Sequence, residues 1–169
     1  MISFLLQALW FILPAYTANS FPVISKGKHP LDFHVFLGAN RLLGDGKTIE
    51  GSATGVAFGT LTGTLQILLQ PYVPDNFVTM TAELAFLLAF GAIAGDIVGA
   101  FIKRRLGIAR GASAPLLDQL DFLVVSLALS TLIISMPYEI YAVLFLITPV
   151  VHLSANIISH FLKLKEVPW

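Results

Sequence analysis

The side chains best suited to phosphate chemistry are concentrated in one short stretch of an otherwise apolar chain. Asp96 lies in the apolar run GAIAGDIVGAF, the triplet Lys103-Arg104-Arg105 follows, and Asp118 and Asp121 come next. A carboxylate at membrane depth costs about 2.5–3.5 kcal/mol on insertion scales, so a functional role is expected for Asp96. Carboxylates without cysteine or clustered histidine favour Mg²⁺ over Zn²⁺, and the bases suit a polyphosphate. The stretch predicts a site for Mg²⁺ and a nucleoside triphosphate.

Both halves of this stretch also have a purely structural interpretation. The basic triplet could be only a positive-inside anchor at the end of a helix. Asp118 could cap the N-terminus of the next helix, although capping needs one acid and this helix start has two, Asp118 and Asp121. The position of the triplet between Asp96 and Asp118 favours the functional interpretation.

Five apolar segments are available to position these charges. The chain has 169 residues, of which 56% are hydrophobic and 12% are charged, and this is more apolar surface than one small soluble core buries. We predict an all-α membrane protein, a bundle of five transmembrane helices forming one integral membrane domain over residues 1–169. The predicted spans are 2–21, 52–70, 79–102, 120–136 and 141–162, with cytoplasmic loops at about 22–51 and 103–119.

The distribution of Lys and Arg predicts the orientation of the bundle. Four of the ten basic residues lie between the first two spans, four between the third and fourth, and two after the fifth. Because cytoplasmic loops are enriched in Lys and Arg, we predict a multi-pass protein of the cell membrane with its N-terminus outside and its C-terminus in the cytoplasm. The two cytoplasmic loops would form the active site. A cleaved signal peptide is disfavoured because the first run lacks a basic n-region.

Glycine recurs at every fourth position in the second and third predicted spans. Such stripes let helix backbones approach closely, which drives helix association in lipid. We therefore expect the two spans to pack against each other or against the fourth span, with Asp96 facing other helices; dimerisation through one stripe stays open. The stripes are Gly51, Gly55, Gly59 and Gly63, and Gly91, Gly95 and Gly99.

The first cytoplasmic loop contains a second polar cluster, in the segment GANRLLGDGKTIEG. Its GKT is the end of a P-loop motif, but Arg41 occupies the position where that motif requires its first glycine. The P-loop interpretation therefore fails. A glycine-rich backbone remains that can approach a phosphate or ribose, with Lys47 as a point charge, Thr48 as a hydroxyl donor and Glu50 as an acceptor.

Polar residues also interrupt the fifth predicted span. His152, Asn156 and His160 follow one another at a spacing of four residues, which puts them on one face of a helix. Polar side chains inside a membrane bond to a neighbouring helix or line a cavity. Structural packing and contact with a lipid headgroup are both compatible with this stripe.

These motifs resemble those of the membrane cytidylyltransferases that make CDP-activated lipids, most closely the small archaeal branch, the CDP-archaeol synthases. The similar segments are LPAYTAN, LGANRLLGDGKTIEG, GDIVGAFIKRRLGIARG, PLLDQLDF and HLSANIISHFLKLKEVPW. The Gly-Asp, Lys-Arg and Asp-x-x-Asp elements of the wider family correspond to Gly95-Asp96, Lys103-Arg104 and Asp118 to Asp121. The chain departs from the bacterial members at Gly99-Ala100 and at residues 113–117, so nucleotide contacts of those segments do not carry over.

The resemblance implies a Mg²⁺-dependent transfer of CMP from CTP to 2,3-di-O-geranylgeranylglyceryl phosphate, giving CDP-archaeol and pyrophosphate. The alternatives are a cytidylyltransferase using ester lipids, a small anion transporter, and an alcohol phosphotransferase, which would call for more spaced Asp residues. The expected partners are CTP and a membrane lipid phosphate, without nucleic acid, for a monomer or homodimer.

The expected catalytic residues are Asp96, Lys103, Arg104, Asp118 and Asp121, with the three Asp residues as Mg²⁺ ligands. The expected CTP-binding residues are Asn40, Lys47, Thr48, Glu50, Arg105, Arg110 and Ser113. The expected lipid-phosphate contacts are Asn19, His152 and Asn156.

Overall fold

The computed structural model describes residues 2–109 and 112–164 and is mostly helical. Its long helices are α1 (Ile2–Ser20), α3 (Ile49–Leu69), α4 (Ala82–Arg105), α5 (Leu117–Ser130) and α6 (Tyr138–Phe161). The short helix α2 (Pro22–Ser25) follows α1, and a 3₁₀ turn (Gln70–Tyr72) extends α3. The five long helices correspond to the five predicted spans.

The first loop contains the part of the fold that an all-α prediction misses. Strands β1 (Phe36–Leu37) and β2 (Asn40–Arg41) pair antiparallel, with Phe36 opposite Arg41 and Leu37 opposite Asn40. A bridge between Pro30 and Thr48 closes the base of the loop. The loop therefore has a defined hairpin structure between α2 and α3, a detail that the helical prediction does not include.

Three of the described helices are long and apolar enough to cross a membrane by length and composition. They are α3 with its 3₁₀ turn, α4 and α6. Helix α5 has 14 residues, which rise about 21 Å at 1.5 Å per residue, and it ends at Ser130 where the predicted fourth span continued to residue 136. The extra residues of that predicted span form a turn and an extended connection to α6.

Helix starts differ from the predicted span boundaries because threonine caps set them. Thr48 accepts a hydrogen bond from the Gly51 amide at 3.1 Å and starts α3 three residues before the predicted span. Thr81 accepts from the Leu84 amide at 3.2 Å and starts α4 three residues after it. A threonine side chain in this position satisfies one of the amide groups that a helix start leaves unpaired.

Both glycine stripes are covered by helices of the same chain. A Cβ atom on Gly59 would lie 2.6 Å from the Pro14 carbonyl oxygen of α1 and 2.6 Å from the Ala89 side chain of α4. A Cβ atom on Gly91 would lie 2.7 Å from the Ser126 backbone of α5. The second and third predicted spans pack against each other, and the third also packs against the fourth, which confirms the prediction that the stripes meet neighbouring spans; the contact of the second span with α1 was not predicted. The buried side chains of the apolar core come mainly from α1, α4, α5 and α6, and α3 packs against this core through the partly buried Val56 and Ile67.

Candidate functional site

A cavity of about 440 Å³ opens among α1, the start of α3, α4, α5 and α6. Six of the predicted site residues line it, although they come from four separate regions of the sequence. The structure therefore brings the first loop, Asp96 and the polar face of α6 to one place. These six residues are Asn19, Lys47, Thr48, Asp96, His152 and Asn156.

An ion pair joins the first loop to α4 at this cavity. The Lys47 ammonium lies 2.6 Å from a carboxylate oxygen of Asp96, and both side chains are partly buried. The N-terminus of α3 follows directly, with Thr48, Gly51 and Ser52 also lining the cavity. A helix N-terminus carries a partial positive charge. Together with Lys47, it makes this side of the cavity suitable for an anionic group such as a phosphate.

The opposite wall of the cavity is the polar face of α6. The Asn156 side-chain nitrogen lies 3.4 Å from Nδ1 of His152, and the His152 ring stacks on Phe122 of α5 at a centroid distance of 6.1 Å. Nearby, the Tyr16 hydroxyl is 2.7 Å from the buried Thr148 hydroxyl. These contacts show that the stripe both packs against neighbouring helices and lines the cavity, so neither of its two interpretations excludes the other.

Sequence reasoning missed several hydroxyl-bearing residues of the cavity. Ser20, Ser52 and Ser159 line it, as does Tyr16. Serine is common in membrane helices and has no spacing signature of its own. The only indication available was proximity in the sequence to predicted site residues: Ser20 follows Asn19, and Ser52 lies in the first turn of α3, close to Lys47 and Thr48.

The three consecutive bases at the end of α4 point to three different partners. Lys103 bonds to Asp118 at 2.8 Å and to the Ala112 carbonyl oxygen at 3.0 Å. Arg104 donates to the Ile108 carbonyl oxygen at 2.5 Å. Successive helix residues are rotated by about 100°, and this rotation directs the three side chains to different neighbours. None of these three bases is among the described residues that line the cavity.

Arg105 holds the hairpin of the first loop against α4. Its guanidinium donates to the Leu37 carbonyl oxygen at 2.6 Å and to that of Arg41 at 2.8 Å, and it stacks over the Phe101 ring. Its third acceptor is the Asn40 carbonyl oxygen at 3.5 Å. Arg105 and Asn40, both predicted to bind CTP, are therefore partners in a contact that fixes the loop.

The two acids of α5 are placed differently. Asp118 lies in the first turn, where one oxygen bonds to Lys103 and the other accepts from the Ala114 amide at 2.8 Å. Asp118 therefore ties the second loop to the helix start, while the N-cap position belongs to Leu116. The Asp121 carboxylate packs over Gly99 of α4, one helical turn from Asp96.

No three His, Asp or Glu side chains within residues 2–109 and 112–164 are grouped as a metal site. Asp96 and Asp118 each bond to a lysine instead. Mg²⁺ commonly uses only one or two carboxylates together with substrate phosphates and water. The oxygen donors of Asp96 and Asp121 on facing helices are compatible with such a site.

Two further predicted CTP-binding residues, Glu50 and Ser113, are not among the residues that line the cavity. Glu50 pairs with His29, whose Nδ1 is 2.5 Å from the carboxylate. Ser113 is exposed in the second loop. Arg110 lies outside the described residues.

A buried carboxylate that no sequence pattern indicates organises the first loop. Asp32 is 4% exposed and accepts from the Leu43 and Gly44 amides at 3.0 and 2.9 Å. The Arg41 guanidinium bonds to both of its oxygens. The guanidinium, helped by the amides, holds the pKa of Asp32 well below its usual range despite burial, and Asp32 in turn raises the pKa of Arg41. The loop that carries Lys47 is thus built around an ion pair.

We expect Lys103→Met and Asp118→Asn to have non-additive effects on activity. Each substitution removes the same partly buried ion pair, so the double variant should be about as impaired as the worse single variant, with a coupling energy of about 1 kcal/mol or more. The rates of pyrophosphate release by the two single variants and the double variant would measure this. Fully additive losses would contradict a shared role of the two residues.

Comparisons with known proteins agree over almost the whole chain. A model of the CarS-like family, described as CDP-archaeol synthase, matches residues 1–169. The CDP-archaeol synthase of Thermococcus gammatolerans is 45% identical over 169 residues, covering 99% of this chain and 98% of that protein. The CDP-archaeol synthase of Methanocaldococcus jannaschii is 44% identical over 172 residues, covering 98% and 97%.

One solved structure is similar in fold as well as in sequence. It has a TM-score of 0.78 and 43% identity, and the match covers 90% of this chain and 94% of that one. It is described as an intramembrane enzyme for archaeal membrane lipid biosynthesis.

Proposed function

The chain belongs to the CDP-archaeol synthase family, and from that membership we propose that it transfers CMP from CTP to a membrane lipid phosphate. The specific acceptor we propose is 2,3-di-O-geranylgeranylglyceryl phosphate, and the products are CDP-archaeol and pyrophosphate. The observation that carries this proposal is the cavity in which Lys47 and the N-terminus of α3 face Asp96 and the polar side of α6.

The reaction needs positioning and charge stabilisation more than a base. The second pKa of a phosphate monoester is about 6, so the attacking oxygen of the lipid phosphate is largely ionised at neutral pH. It forms a bond to the α-phosphorus of CTP, and the bond from that phosphorus to the bridging oxygen breaks to release pyrophosphate. Lys47 and the amides at the start of α3 would hold phosphate oxygens, while Asn19, His152 and Asn156 would contact the lipid phosphate. Holding the two substrates in line supplies much of the rate enhancement in such transfers.

We further propose that the carboxylates of Asp96 and Asp121 would hold Mg²⁺, with Asp118 as the third acid of the predicted set. The packing of Asp121 over Gly99 supports this assignment, since a larger residue at that position would displace the carboxylate. Bound Mg²⁺ would neutralise charge on the triphosphate. Lys47 pairs with Asp96 at the cavity, where its ammonium would be available to contact the phosphates of CTP.

We propose that the protein spans the cell membrane several times with this cavity on the cytoplasmic side. The first loop contacts Asp96 through Lys47 and the end of α4 through Arg105, so the two loops richest in Lys and Arg lie on the same side of the bundle. The positive-inside rule assigns that side to the cytoplasm.

The test is pyrophosphate release by the purified protein with Mg²⁺ and each of the four nucleoside triphosphates. Either an ether-linked isoprenoid or an ester-linked acyl glycerol phosphate would be the acceptor. We expect release only with CTP and the ether lipid. Preference for the ester lipid would reassign the acceptor. Release without any lipid phosphate, or none with either, would refute the transfer reaction. Uptake of an anion into proteoliposomes without consumption of CTP would identify a transporter.

A further inference from the structure

The first loop presents four apolar side chains that nothing in the described chain covers. Phe33, Val35, Phe36 and Leu37 are 73%, 53%, 63% and 51% exposed. We call these four residues the apolar turn. They lie outside the helices, in the segment between α2 and α3 where water would be expected to meet polar side chains. An exposed apolar group of this kind marks a site of interaction.

The loop is built to hold the apolar turn in place. Phe33 and His34 both have left-handed backbone conformations, with φ values of 46° and 64°. Such conformations are uncommon for residues other than glycine and persist where surrounding contacts enforce them. Here the His34 amide donates to the Asp32 carboxylate at 3.2 Å and the Val35 amide to the Asp32 carbonyl at 2.8 Å. The buried ion pair of Asp32 with Arg41 thus fixes the exposed side chains.

The apolar turn is attached to the last turn of a membrane-crossing helix. Arg105 of α4 donates to the carbonyl oxygen of Leu37. The exposed face of α4 is an apolar stripe that leads to this point and continues beyond the helix into Leu106. The stripe consists of Phe86, Phe90, Val98, Ile102 and Leu106. The apolar turn is therefore held at the end of α4 at which this exposed apolar stripe also ends.

We propose that the apolar turn inserts into the interfacial layer of the bilayer, between the headgroups and the acyl chains. Aromatic and aliphatic side chains are favoured at this depth. The exposed Lys26 and Lys28 at the start of the loop would meet anionic headgroups. The first loop then rests on the membrane on one side and supplies Lys47 and Thr48 to the cavity on the other. This inference concerns the loop and the bilayer, so it stands or falls independently of the reaction.

Spin labelling tests the proposal directly, since the chain has no cysteine. Phe36→Cys and, as a control at an exposed position in the connection between α3 and α4, Asp75→Cys would be labelled with a nitroxide in proteoliposomes of anionic lipid. Accessibility to oxygen, which concentrates in the bilayer, would be compared with accessibility to a water-soluble nickel complex. We expect the ratio of oxygen to nickel accessibility to be severalfold higher at position 36 than at position 75, and the difference to be independent of protein density.

Two results would overturn the proposal. A label at position 36 as accessible to nickel as the control label would place the apolar turn in water. Spin–spin broadening at position 36 that disappears on dilution with unlabelled protein would identify a second copy of the chain as the occupant. Val35→Cys provides an independent position with the same expected result if Phe36→Cys fails to give the wild-type circular dichroism spectrum.

Discussion

Asp96→Asn should lower the rate of pyrophosphate release by about 10²-fold or more, the usual effect of removing one preorganised electrostatic group from an active site. Asp96 lines the cavity and bonds to Lys47 at 2.6 Å. The asparagine side chain has the same size as aspartate but no negative charge. It therefore loses the charge that positions Lys47, and it also loses the anionic oxygen proposed to bind Mg²⁺. The loss should therefore fall mainly on kcat, measured at saturating CTP and lipid.

Asp75→Asn is the matched control for this substitution. Asp75 is an exposed acid beyond the far end of α3, and we expect its replacement to leave activity unchanged. Near-normal Mg²⁺-dependent turnover by Asp96→Asn would contradict the metal assignment. If a much higher Mg²⁺ concentration restored the kcat of Asp96→Asn, the metal assignment would be supported, because only the affinity for Mg²⁺ would then be lower.

Gly95→Ala should destabilise the bundle by about 1–3 kcal/mol, as overpacking of a close contact does. A Cβ atom at this position would lie 2.7 Å from the Phe122 Cα and 2.8 Å from the Asp121 backbone carbon. These are backbone atoms of α5, which cannot rotate away. The helices must separate, and Asp121 would move with α5. We expect a lower Tm in detergent together with a loss of activity.

Val98→Ala supplies the comparison on the same helix. Val98 is 49% exposed on the lipid-facing side of α4, so its truncation should change Tm little. A Gly95→Ala variant as stable and active as Val98→Ala would show that α4 and α5 are not held at the distance that the glycine requires.

The helical packing was predictable from sequence because glycine stripes depend on local spacing. Gly55, Gly59 and Gly63 repeat with the period of the helix, so their burial follows from the sequence alone. The helix limits were less predictable. Hydropathy identifies where lipid can surround a chain, whereas the limits depend on single capping residues such as Thr48 and Thr81.

Several residues of the candidate site were predicted from the sequence, but not which of them contact one another. The sequence indicated Asp96 and Lys47 separately, and their contact spans 49 residues, a separation that no local rule covers. The three bases of the triplet have different partners for a local reason, since helical rotation directs Lys103 and Arg105 to different neighbours. No sequence pattern indicates the buried role of Asp32, because most of the groups that donate hydrogen bonds to its carboxylate are backbone amides.

The shortness of α5 has a consequence for how a lipid meets the site. Its helical rise of about 21 Å is less than the hydrocarbon thickness of about 30 Å. Hydrophobic mismatch of this size is relieved by local thinning of the bilayer or by sinking of one helix end. Either response brings the acidic start of α5 close to the plane of the lipid phosphates. A lipid substrate can then offer its phosphate while its chains stay in their leaflet, and the rate should depend on bilayer thickness.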